Sequence, residues 1–192
     1  MDVTTLHRRT VEWWESRVDG VGDDAWGNST PCEAWTVRDL VNHVVGEELW
    51  TVPLMAGATI ADVGDRFDGD VLGESPAETS HEAAAAAVRS VDEVAPRGVK
   101  VHLSYGDEDA EEYLLQLAAD HLVHGWDLAV ATGSDARLDP ELVEAVAAWF
   151  AQREELYRAG GAIAGHVDRH GDPQTELLAA FGRDARWAAA TP

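Results

Sequence analysis

A chain of 192 residues with 36 acidic against 14 basic side chains, a formal net charge of −22, has room for one domain with a substantial core. That charge repels phosphate backbones and anionic lipid, which argues against nucleic acid and membrane partners and otherwise describes a well-solvated surface. The single cysteine, Cys32, rules out an internal disulfide. With no apolar run of about 18 residues and no basic-then-apolar leader after Met1, the expectation is a soluble cytoplasmic protein.

The elements follow in order. Val3 to Val18 reads as a helix, with Leu6, Val11, Trp14 and Val18 near helical spacing. Gly20 to Trp35 is broken by Gly, Asn, Ser and Pro and reads as a loop. Thr36 is a good N-cap with Asp39 at the capping-box position, opening a helix to about Met55. Gly57 to Pro76 reads as a long crossover loop, and Ser75-Pro76 starts an alanine-rich helix to about Ala95, ended by Pro96 and Gly98. Val99 to Leu103 alternates and predicts a short extended segment. A long helix from about Asp109 to Thr132, closed by Gly133, and a last one from Asp139-Pro140 to about Arg158 complete the set. The tail is glycine-rich, with a short turn near Leu177 to Phe181.

The Asp109–Thr132 helix carries the chemistry. It is apolar around most of its circumference, which predicts burial, yet Asp120 and His124 stand four residues apart on one face. Gln116 and Asp127 extend this narrow stripe, whereas His121 lies roughly 80° away and reads as a packing residue or a support for the ligands. Four long helices, one reached by an extended crossover, predict an all-α four-helix bundle over 1–160 with an extra C-terminal helix or tail over 161–192, in a single domain 1–192. Metal sites in bundles use side chains from facing helices. His43, mid-helix among apolar residues, is the best third ligand, and Glu47 one turn later is a fourth ligand or an acid/base beside the ion. His81 and His102 read as surface or loop residues, while His166 and His170 read as a solvated tail pair. On spacing alone, a metal site and a hydrogen-bonded polar core remain equal alternatives.

Three motifs sharpen this. Thr30-Pro31-Cys32-Glu33-Ala34-Trp35-Thr36-Val37-Arg38-Asp39-Leu40 through His43 resembles the first signature of actinobacterial DinB/YfiT-like proteins, relatives of the N-terminal domain of mycothiol-dependent maleylpyruvate isomerase. Val123-His124-Gly125-Trp126-Asp127-Leu128-Ala129 through Gly133 resembles the second. Asp172-Pro173-Gln174, Leu177-Leu178-Ala179 and Gly182-Arg183-Asp184 are similar to the third. The resemblance implies a bundle of up-down-down-up topology and a divalent metal, most often zinc, on His43, Asp120 and His124. Isomerase-like members of that family carry Glu where this chain has Asp120. The isomerase also continues into a second domain, so maleylpyruvate isomerisation itself is not the expected reaction here.

Two imidazoles and one carboxylate leave a coordination position open, the pattern of a catalytic zinc. The expected function is thiol-dependent transfer or isomerisation, in which the metal activates a small thiol such as mycothiol or bacillithiol against an electrophilic substrate. Metal-activated water for hydrolysis is a variant of the same chemistry. Asp127 or Glu47 would orient a ligand imidazole, and Trp50 and Trp126 would line the pocket. The alternatives are a non-catalytic metal-binding or stress-related interaction protein and a metal-free helical scaffold. A homodimer is compatible with any of them. Cys32 reads as part of a packed loop with no base identifiable near it.

Overall fold

The computed structural model describes residues 1–94, 98–161, 165, 167 and 171–188. Four helices form the frame: α1 (Val3–Val18), α2 (Val37–Met55), α4 (Pro76–Val94) and α5 (Ala110–Thr132), with the single turn α3 (Ile60–Val63) in the α2–α4 crossover. A hairpin of β1 (Lys100–Leu103) and β2 (Gly106–Asp109) leads into α5, and α6 (Pro140–Phe150), α7 (Glu154–Ala159) and α8 (Pro173–Ala180) follow it. Each of α1 and α2 packs against both α4 and α5. His43 on α2 can therefore face the polar stripe of α5. His166 and His170 lie outside the described residues.

The caps are those the sequence asks for. Thr36 and Asp39 make a reciprocal capping box at the start of α2, and Asp2 caps α1 through the Thr5 N–H. Gly133 closes α5 at φ 70°, a left-handed position that favours glycine. Three apolar clusters fill the interior. One joins α5 to α6 and α8 through Leu122, Trp126, Val146, Phe150 and Leu178. The second centres on Trp14, Leu40, Val44 and Leu128, and the third on Leu54, Val91, Tyr113 and Leu114.

Several expectations are corrected. The 57–76 crossover contains α3 and is pinned to α2, where the Asn42 amide brackets Gly69 and Val71 and Arg38 pairs with Asp70. The extended segment is one strand of a two-stranded hairpin, with Lys100 opposite Asp109. The last helix does not run unbroken to Arg158: α6 ends at Phe150, and after a turn over 151–153 the chain restarts as α7. Glu112 of α5 ties the two helices together, accepting hydrogen bonds from Trp149 Nε1, Arg153 and the Tyr157 hydroxyl. The turn expected near Leu177 is the two-turn helix α8, capped by Asp172 with Pro173 at its first position.

One buried residue sets an acid limit. His7 is 1 % exposed, and neither ring nitrogen has a hydrogen-bond partner. Burial, with His121 and Arg8 adding to it, pushes its pKa down to about 3. The folded state therefore keeps His7 neutral while the unfolded chain binds a proton below the ordinary value of 6.5. Stability is lost as pH falls through the window from 6.5 towards 3, at about 1.4 kcal/mol per pH unit for one proton. Urea titrations of the wild type and His7→Phe should diverge by about 2 kcal/mol between pH 6.5 and 5, the variant losing less. Parallel losses would show that His7 does not titrate this way.

Candidate metal centre

Asp120 and His124 of α5 meet His43 of α2 at one end of a cavity of about 720 Å³. His124 Nε2 lies 3.3 Å from Asp120 Oδ1, and His43 Nε2 lies 3.5 Å from Asp120 Oδ2. Ligands about 2.0 Å from a tetrahedral zinc stand about 3.3 Å apart, so each imidazole lies near ligand spacing from one oxygen of Asp120. Asp120 Oδ2 is buried without a hydrogen-bond partner, the condition of a carboxylate oxygen awaiting a cation. The shorter carboxylate still reaches both imidazoles. By their donor chemistry and spacing, these residues fit a divalent ion with an open position.

The electrostatics point the same way. Burial pushes the Asp120 carboxyl up, but His124 and His43 outweigh it and hold the group well below the usual range. Burial lowers the His124 pKa, while Asp120, Asp127 and Cys32 outweigh it and raise it well above 6.5.

The other nitrogen of His124 is fixed from behind. Its Nδ1–H donates to Asp127 Oδ2 at 2.9 Å, leaving Nε2 to face Asp120 and His43. Asp127 is fully buried and also accepts from the Arg183 guanidinium at 2.8 Å and from the Cys32 thiol at 3.3 Å. Cys32, His124 and Asp127 form a second set of donors close enough for an ion. Arg183 already provides the cation there, with Nη2 3.0 Å from Cys32 Sγ. The first set is therefore the better metal centre.

The remaining candidates separate clearly. Glu47 lines the cavity, where burial first and Asp120 second push its carboxyl up. His121 turns away from the cavity, donating Nδ1–H to the Leu117 carbonyl at 2.6 Å and meeting Glu48 at 3.1 Å. Gln116 lines the cavity and bonds to Tyr105. Trp126 and Trp50 are not among the lining residues. Trp126 follows His124 by two residues, about 200° around the helix, so its indole enters the core against α6. Trp50 lies about 10 Å along α2 from His43 and packs on Phe67. The lining tryptophans are Trp35, which packs on both His43 and His124, and Trp149. Trp35 follows Ala34, whose left-handed φ of 69° turns the loop there. Sequence reasoning assigned no role to Arg183 and left Cys32 in a packed loop without a base. The folded chain puts His124 and Asp127 beside that thiol. Along α5, Glu112, Gln116, Asp120 and His124 form one polar file, a turn apart at each step.

The family model described as the mycothiol maleylpyruvate isomerase N-terminal domain matches residues 7–129. The chain belongs to this family. Two uncharacterized proteins from two strains of Mycobacterium tuberculosis are each 34% identical to it over 192 residues, spanning 97% of this chain and all of theirs. A crystal structure of a mycothiol-dependent maleylpyruvate isomerase superposes with a TM-score of 0.59 at 16% identity, covering 78% of this chain and 70% of that one. A histidine-to-alanine mutant of a mycothiol-dependent maleylpyruvate isomerase gives 0.61 at 18%, with the same coverage. At these identities the structures establish the helical fold that this isomerase-family chain shares with them. His43, Asp120 and His124 all fall within the matched segment, whereas Trp149, Phe181 and Arg183 come after it. No helix among the described residues is long and apolar enough to cross a membrane.

Proposed function

We propose that this isomerase-family protein binds a divalent metal, most naturally zinc, on His43, Asp120 and His124, and uses it to activate a small thiol against an electrophile. The observation that carries the reading is the convergence of two imidazoles on a carboxylate whose Oδ2 is buried and makes no hydrogen bond. Mycothiol is the thiol to try first, since the family and the structural relatives are named for it. When bound, zinc would supply a Lewis acid that lowers a thiol's pKa towards neutrality.

The chain's own residues supply the rest. Asp127 keeps the proton on His124 Nδ1 and so presents Nε2 inward. Trp35 packs on both imidazoles and limits the positions they can take. Glu47, its carboxyl pushed up by burial, is placed to hold a proton beside the reacting groups. Trp149, Phe150 and Phe181 give the electrophile an apolar wall.

Calorimetry tests this. Zinc-loaded protein should bind mycothiol with a measurable heat, and chelator-treated protein should not. Equal heats from the loaded and stripped forms would refute thiol activation by the metal.

A further inference from the structure

The Arg183 side chain is almost enclosed, 14 % exposed, and its contacts converge on the back of the metal centre. Nε lies 3.2 and 3.3 Å from the two Asp127 oxygens, and Nη2 lies 2.8 Å from Oδ2. Nη1 donates to the Phe181 carbonyl at 2.9 Å, which fixes the guanidinium to its own turn. Asp127 has no exposed surface, and its Oδ2 receives the His124 Nδ1–H. A carboxylate that deep needs its oxygens held by directed donors, and the arginine fork supplies them.

We propose that Arg183 is a positioning residue for the metal centre: its fork grips both oxygens of Asp127, and Asp127 in turn holds the His124 ring with Nε2 inward. This rests on the metal-binding reading above. The consequence reaches beyond the matched domain, because Arg183 belongs to the segment after residue 129. The stretch following α8 therefore helps to build a centre whose ligands all lie on α2 and α5. Lysine cannot replace the arginine fully, since a point charge does not hold both carboxylate oxygens.

Zinc affinity, measured by competition with a chromophoric chelator on the full chain, tests this. Arg183→Met and Asp127→Asn should each weaken zinc by about 10- to 100-fold, the effect typical of lost support for a metal-ligating histidine. Arg183→Lys should fall in between. The double variant, which leaves no unpaired buried charge and so guards against misfolding of Arg183→Met, should be no weaker than the weaker single variant. The visible bands of bound Co²⁺ should shift in each variant, a change that mere loosening of α8 would not cause. If Arg183→Met binds zinc like the wild type while His124→Ala has lost it, or if the two single losses multiply in the double variant, the positioning role is overturned. If the wild type itself takes up no zinc, the metal reading falls and this proposal falls with it.

Discussion

Gly125→Ala should destabilise the protein by about 2 kcal/mol, although it adds the best helix former to the middle of a helix. A Cβ at position 125 would lie 2.2 Å from Trp13 Nε1, 2.7 Å from Cδ1 and 3.2 Å from Cε2. These atoms belong to a rigid indole with Arg17 stacked 4.3 Å above its ring, so the ring or the whole of α1 has to move. Overpacking of this kind costs about 1–3 kcal/mol, and two contacts under 3 Å place it at the upper end. The helix-propensity gain of roughly 1 kcal/mol offsets only part. For a chain of this size the melting temperature should drop by about 4–8 °C. Gly46→Ala in α2 is the control: nothing lies within 4 Å of its Cβ, so the same substitution should stabilise by up to about 1 kcal/mol. If both variants melt higher than the wild type, the contact between Trp13 and α5 is not as tight as described. Because Gly125 follows His124, Gly125→Ala should also weaken metal binding as α5 shifts.

Asp120→Asn should lower zinc affinity by roughly a thousandfold. Structural zinc sites bind with about 10–16 kcal/mol, so one of three or four ligands is worth about 3–4 kcal/mol, or close to three powers of ten. The substitution keeps the side chain's shape and removes the charge that both imidazoles face. The pH dependence is a second signature. In the wild type, the proton that Asp120 holds on His124 competes with the ion, since that pKa is raised well above 6.5. Wild-type affinity should therefore rise about tenfold per pH unit until that pKa is passed. In Asp120→Asn the main source of the raised pKa is gone, and the rise should end at lower pH. Equal affinity of the two proteins across pH would remove Asp120 from the ligand set.

How much of this was legible in the sequence depended on whether the signal was local. Thr36 with Asp39, Asp139-Pro140 and Gly133 announced their helix ends because caps are satisfied within one turn. The same signal, Asp172-Pro173, stands at the start of α8, where the sequence reading has a motif and a turn near Leu177 to Phe181. The polar pair Asp120 and His124 was readable from helical spacing alone. Its meeting with His43 needed the bundle, because only tertiary packing decides which helices face each other. The pocket tryptophans were misplaced for a related reason. Sequence proximity to the ligands favoured Trp126 and Trp50, but their angle and distance along the helix took both away from the cavity. Arg183 sits 56 residues from Asp127, and no periodicity links such a pair.

The polar file on α5 acts as a ruler. Glu112, Gln116, Asp120 and His124 are spaced by the helix itself, about 6 Å per step and about 18 Å in all. No loop separates them, so none can absorb an error in register. One residue inserted between Gln116 and Asp120 would rotate everything beyond it by about 100° and face His124 into the bundle core. The spacing of Asp120 and His124 is thus set by the helix rather than by a loop, and the length of α5 between Glu112 and His124 is fixed to the residue.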